Sequence, residues 1–299
     1  MRVDDVVALM RAHRQRDDER FRAVAMSIAA NEGADRPSGE KLFAAARALD
    51  DRPAELPPKV AGMVRTPKDG GTPVLTADLK GRVGRVVDEH KAGDAIRSAG
   101  LRPVGSVMFV GPPGVGKTMT AGWIGGRIGL PTYVVRTEAL ITSFLGESGA
   151  NVVALFDEIE QRPGVWVFDE FDSLGVTRST GGRDVGEMLR VTNTMLRCMD
   201  RIRDTHRGVV IACTNVPEMI DGALQSRFDE ILQFEPPGDD CMIDELIASV
   251  VGAIEVEFTP PEAAAYRGCN HRQIVRDIHR LAKEHLLAGE TFNQTRRMD

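Results

Sequence analysis

The spacing of apolar positions changes character three times along this chain. From Arg2 to about Asp50, the stretches VDDVVALM, ERFRAVAMSIAA and KLFAAARAL place apolar residues every three or four positions, the period of amphipathic helices. The period is then lost. DDRPAELPPKVAGMVRTPKDGGTP is dense in proline, glycine and charge, and it predicts a linker over residues 51–75. Beyond it, short apolar runs (SVMFV, TYVV, VWVF, VVIACT and EILQF) are interleaved with helical stretches such as AGWIGGRIG, NVVALFDEIE and EMLRVTNTMLRCM. That alternation predicts an α/β fold, a parallel sheet joined by crossover helices and covered on both faces. After Asp239 strand patterns cease, and CMIDELIASVVGAI, PEAAAYRG and HRQIVRDIHRLAKEHLLA predict a helical C-terminal lid. The expected organisation is a helical N-terminal module over 1–50, the linker, an α/β domain over 76–237, and the lid and tail over 238–299.

Composition narrows the class without naming the chemistry. The 299 residues are 42% hydrophobic and 27% charged, the balance of a globular protein, and no apolar run approaches bilayer length. The charged N-terminus lacks the apolar core of a signal peptide, so a cytoplasmic protein without a membrane partner is expected. Cys198, Cys213, Cys241 and Cys269 are widely spaced, with no CxxC pair, and are expected to be reduced packing thiols. A net charge of −6 gives no general reason to expect nucleic-acid binding.

The chemistry concentrates in GPPGVGKT, residues 111–118, followed by Met119. It fits G-x-x-x-x-G-K-[ST] and stands between an apolar strand and a helix, as a phosphate-binding loop requires. The backbone of Gly111, Pro112, Pro113, Gly114, Val115 and Gly116 is expected to wrap the phosphates of a nucleotide. Lys117 would reach the β- and γ-oxygens, and the Thr118 hydroxyl would coordinate Mg2+. A second apolar run, VWVFDE, ends in two acids: Asp169 is expected to hold the metal with Thr118, and Glu170 to polarise an attacking water, which favours hydrolysis over phosphotransfer. VVIACTN ends in Thr214 and Asn215, and Asn215 at the carboxyl end of a central strand could touch the γ-phosphate or orient that water. Arg227, in QSRFDE, lies too late in the chain to serve its own loop. It could act on a neighbouring subunit as an arginine finger, or be a surface arginine paired with Asp229.

Taken together, in this order and spacing, these motifs resemble the AAA ATPases, in particular the group that includes spastin, katanin and the ATPases of proteasome and membrane-protease machines. The resemblance covers about residues 78–288. It implies a P-loop NTPase sheet with a helical lid, ATP and Mg2+ as ligands, and hydrolysis between adjacent subunits of a homo-oligomeric, hexameric ring. It also aligns ITSFLGES with a pore loop, so that Phe144, Leu145 and Gly146 would grip an extended polypeptide through contacts indifferent to sequence. Core packing of Phe144 beside NVVALFDEIE stays open as the other reading. The chain departs from the family pattern in three ways: ALQSRFD is shortened and carries one arginine; GCNHRQIVRDI offers Arg272, either a contact to the nucleotide of its own subunit or a solvated helix arginine; and the sequence carries neither the HExxH motif of a fused protease nor, in NQTRRMD, a hydrophobic-tyrosine docking tail.

The resulting expectation is an ATP-driven protein remodeller whose N-terminal helices choose a polypeptide substrate or adaptor; a separately encoded peptidase is a partner suggested by analogy alone. Two other classes stay open. One is a nucleotide-controlled assembly switch or scaffold. The other is a clamp-loader-like DNA machine, which the acidic balance and the Phe-Leu-Gly loop disfavour.

Overall fold

The computed structural model describes residues 56–66, 71–140, 147–174, 183–220, 222–256 and 258–295, with Val24 and Ile28. The expected pore-loop residues Phe144, Leu145 and Gly146, and nearly all of the helical module 1–50, lie outside the described residues. The chain divides into two units, Met1–Leu56 and Pro57–Asp299, and the second holds every element named below.

Six strands form one sheet: β1 (Val64–Arg65), β2 (Ser106–Val110), β3 (Thr132–Arg136), β4 (Val165–Asp169), β5 (Val209–Thr214) and β6 (Glu230–Gln233). Their order is β1-β3-β4-β5-β2-β6, and all neighbours are parallel except β1, which pairs antiparallel with β3. The central strands read as unbroken apolar runs because both of their faces are covered: Val165 to Phe168 and Val209 to Cys213 are all buried. Edge strand β6 alternates instead, with Leu232 buried and Ile231 exposed.

The covering helices are α1 (Pro58–Ala61), α2 (Ala77–Lys91), α3 (Gly93–Ser98), α4 (Lys117–Ile128), α5 (Glu147–Gln161), α6 (Arg183–Ile202) and the short α7 (Gly222–Gln225). Helix α2 starts where the Thr76 hydroxyl accepts the Leu79 N–H, at 3.4 Å. It then buries Leu79, Val83, Val86 and Val87, spaced four, three and one apart on one helical face. Helix α5 buries Val152, Leu155, Phe156 and Ile159 in the same manner. From α5, an aromatic series crosses the molecule: Phe156 stacks on Phe168 of β4, Phe168 meets Phe171 edge-on, and Phe171 meets Phe228 edge-on. Phe228 follows Arg227, so the loop bearing that arginine is anchored by a buried ring.

The lid has its own core. Helix α8 (Asp240–Val251), capped by the Asp239 carboxylate on the Met242 N–H at 2.8 Å, buries Ile243, Leu246 and Ile247 against Tyr266, Ile274 and Ile278. The last two belong to α9 (His271–Thr295). Val74 joins this cluster, and His271 Nε2 lies 3.1 Å from the Val74 carbonyl oxygen, tying the lid to the segment before α2.

Three features differ from what the sequence suggested. Part of the stretch read as linker is built into the domain, since residues 58–61 form α1, Val64 and Arg65 pair with Val135 and Val134 at the sheet edge, and Val74 packs in the lid. PEAAAYRG yields only a single 3-10 turn, Ala263–Tyr266: prolines precede it, and Gly268, at φ 82°, reverses the chain after it. Cys198 and Cys213 are buried, as packing thiols should be, but Cys241 is exposed.

Candidate active site

Strands β4, β5 and β2 are adjacent and parallel, so their carboxyl ends open on one edge of the sheet. The chain leaves β2 into the glycine-rich loop, β4 into Asp169 and Glu170, and β5 into Thr214 and Asn215. In such sheets that edge is where ligands bind, and here it gathers residues from positions 111 to 215.

The loop is shaped by positions that no side chain could take. Gly111 lies at φ 153°, and a Cβ there would stand 2.1 Å from the carbonyl oxygen of Phe234. Gly114, at φ 82°, faces the lid at a distance where a Cβ would meet that of Arg272 at 2.9 Å. Gly116, at φ 94°, caps helix α4, and Val115 between them is buried. Lys117 opens that helix. Its ammonium donates to the carbonyl oxygens of Gly111 and Pro112, at 2.5 and 2.9 Å, and to Asn215 Oδ1, at 2.8 Å. Burial lowers its pKa from the ordinary lysine value, with the Asp169 and Asp172 charges opposing that shift. Next in the chain, the Thr118 hydroxyl donates to Asp169 Oδ2 at 3.2 Å, while Met119 turns partly outward.

Strand β4 delivers its two acids differently. Asp169 is half-buried, with Thr118 on one oxygen, the Glu170 N–H on the other at 3.2 Å, and Arg65 of β1 at 3.6 Å. Glu170 is exposed and sits at φ 52°, a left-handed backbone that a glutamate rarely adopts. Such strain persists where surrounding structure holds it, and it concentrates at functional sites. Asp172, two residues on, accepts the Thr214 hydroxyl at 2.9 Å and the Asn215 N–H at 3.2 Å, which fixes the end of β5 beside the end of β4.

The lid reaches the loop through the start of α9. Asn270 and Gln273 cap each other reciprocally, Asn270 Oδ1 accepting the Gln273 N–H at 2.9 Å and Gln273 Oε1 accepting the Asn270 N–H at 2.7 Å. With the helix end fixed, Asn270 Nδ2 donates to Pro113 O at 3.3 Å and the Arg272 N–H donates to Gly114 O at 3.0 Å. Arg272 itself is exposed beside the loop, and its charge bears on Lys117.

Arg227 stands elsewhere. Its guanidinium is bound by both oxygens of Asp200 on α6, at 3.1 Å each, and Asp229, suggested by the sequence as its partner, is engaged by Arg102 and by the N–H groups of Gly105 and Ser106. Burial would raise the Asp229 pKa, but the Arg102 and backbone hydrogen bonds outweigh it and hold the carboxyl below its ordinary range. The structure thus brings together Lys117, Thr118, Asp169, Glu170, Asn215 and the backbone of Arg272, and holds Arg227 apart from them, against Asp200 of α6. Asp172, Asn270 and Arg65 are additions that the motifs did not single out. The spacing N-H-R-Q over residues 270–273 signals a capped helix start; nothing local signals the other two.

Nucleotide phosphates and Mg2+ fit what these residues offer. The loop backbone turns through left-handed glycines around a nearly buried ammonium, and a hydroxyl and a carboxylate already meet beside it. Fold and loop define a P-loop NTPase. Residues 107–236 match the model of the ATPase family associated with various cellular activities (AAA). The chain is 36% identical over 192 residues to the uncharacterized AAA family ATPase y4kL of Sinorhizobium fredii, covering 64% of this chain and 57% of that one. It is 30% identical over 191 residues to a putative 26S proteasome regulatory subunit homolog of Methanothermobacter marburgensis, covering 62% of this chain and 50% of the relative. The chain therefore spans about half the length of these relatives. The crystal structure of the FIGL-1 AAA domain shares the fold, with a TM-score of 0.59 at 20% identity over 72% of this chain and 73% of that one. Among the described residues no helix is long and apolar enough to cross a membrane.

Proposed function

We propose that this protein is an ATP-driven remodeller of other proteins, acting as a head-to-tail oligomer, with a hexameric ring as the arrangement the family resemblance implies. The observation that carries the reading is the meeting of Lys117, Thr118, Asp169, Glu170 and Asn215 at the carboxyl ends of three neighbouring strands. Lys117 would exchange its loop carbonyls for the β- and γ-phosphates, and the N–H groups of residues 111–118 would cradle them. Thr118 and Asp169 would hold Mg2+, whose charge would offset that of the phosphates. Glu170, exposed on its left-handed turn, would accept the proton of an attacking water, and Asn215 would orient that water. Arg272 would contact the nucleotide of its own subunit from the lid. Arg227, bound to Asp200 on α6, would complete the site of a neighbouring copy.

For the mechanical part, Phe144, Leu145 and Gly146 would project into a channel and grip an extended polypeptide. A putative proteasome regulatory subunit homolog among the relatives is consistent with that class of work. The experiment is ATPase turnover with and without an unfolded polypeptide, on wild type and Phe144→Ala. Stimulation by unfolded chains in wild type, lost in Phe144→Ala with basal turnover and melting temperature unchanged, is the expected result. Stimulation by one folded partner alone would favour an assembly switch. A Phe144→Ala protein destabilised by about 3–5 kcal/mol would return Phe144 to the core.

A further inference from the structure

A second cluster of charge lies outside the phosphate loop. Arg190, Asn193, Thr194, Arg197 and Asp200, all on α6, line a recess of about 650 Å³ together with Arg227. Seven residues separate Arg190 from Arg197, two helical turns and about 10 Å, which puts both guanidinium groups on one face of the helix. Three arginines thus meet a single carboxylate, a local balance of +2 on a chain whose net charge is −6. That carboxylate is already occupied, since both Asp200 oxygens bind Arg227. Among the described residues neither Arg190 nor Arg197 has an ion-pair partner, and both are exposed. Guanidinium groups gathered around one recess raise the local positive potential, which favours an anionic occupant.

Helix α7 and Ser226, directly ahead of Arg227, offer no further cation: the residues there are Ala223, Leu224, Gln225 and Ser226. We propose that Arg197, on α6, is a second cationic group that reaches the phosphates of a nucleotide held by a neighbouring copy of this chain, beside Arg227. The assignment rests on the proposed action of Arg227 across a subunit interface, and it adds a residue from a different element. Asp200 then has a positioning role: it holds Arg227 at the rim of the recess, while Arg190 deepens the positive field behind Arg197. The planar guanidinium of Arg197 suits a phosphate bidentately, which a lysine would match only in charge.

The test is steady-state ATPase of Arg197→Ala and Arg197→Lys over a range of protein concentrations, with nucleotide affinity measured separately by fluorescent ADP. Arg197→Ala is expected to lose about tenfold or more in kcat, less than the roughly 10³-fold of a principal finger. Nucleotide affinity and melting temperature should be unchanged, and Arg197→Lys should recover part of the rate. Mixing Arg197→Ala with Glu170→Gln subunits should then restore turnover, because the second protein supplies Arg197 to the intact acid of the first. Wild-type kcat in Arg197→Ala would overturn the proposal while leaving Arg227 untouched, and so would an inactive Arg197→Ala that Glu170→Gln fails to rescue in mixed oligomers. A full wild-type rate per subunit from protein shown to be monomeric at the assay concentration would instead overturn the shared premise of assembly-dependent hydrolysis, and the role of Arg197 with it.

Discussion

At the scale of single residues, the proposed function gives Lys117 and Glu170 opposite ends of the same chemistry, so they should fail differently. Lys117 is nearly buried and makes three hydrogen bonds, so its ammonium is fixed in place before any ligand arrives. Lys117→Ala removes a charge-assisted contact of about 1.5–3 kcal/mol, and nucleotide affinity should fall by about ten- to a hundredfold. Glu170 touches little except through its backbone. Glu170→Gln should therefore bind ATP with wild-type affinity and turn it over at least about a hundredfold more slowly. Fluorescent-nucleotide titration and steady-state ATPase separate the two, and wild-type turnover in Glu170→Gln would remove its assignment as the base. The placement of these two residues, though not their roles, was legible in the sequence because their motifs fix each one relative to a strand end. The partners of Arg227 were not. Its pairing with Asp200 depends on how a loop 27 residues later folds back on α6, and local sequence offered the nearer Asp229, which Arg102 and the β2 backbone already hold.

At the scale of elements, the lid bears on the phosphate loop through one helix end. The capping pair Asn270 and Gln273 satisfies the first turn of α9 and also places the Asn270 amide on Pro113. Asn270→Ala should cost about 1 kcal/mol from the lost cap. It should weaken nucleotide affinity severalfold as well, because the contact between lid and loop is lost with it; a melt and an ADP titration on the same variant measure both. Unchanged affinity would mean that the contact is incidental. Strands and long helices could be read from the sequence because their apolar periods run for many residues. Strand β1 could not, since two residues within a stretch rich in proline and glycine carry no period, and only pairing with Val134 and Val135 makes them a strand. For the same reason the 3-10 turn at 263–266 looked like a helix: three consecutive alanines favour one, and the flanking residues, not those four, stop it.

For the whole molecule, the phosphate loop and Arg227 are held by different elements, and on the proposed function they serve different sites. The first faces the lid of its own subunit, whereas the second is held on α6 by Asp200 and anchored by Phe228 against Phe171. A head-to-tail assembly joins such halves, and the same interface builds a closed ring or an open spiral. The central claim is that hydrolysis is completed by a neighbour. Arg227→Ala should bind nucleotide normally and lose turnover by roughly 10³-fold, and Glu170→Gln alone should be nearly inactive. Mixed in one oligomer, the two variants place an intact Arg227 opposite an intact Glu170 at some interfaces. The most direct measurement is therefore the ATPase rate of such mixtures across their ratio: the account predicts a rise above both parents with a maximum at intermediate mixing, and mixtures of verified composition that never exceed the parents would contradict it.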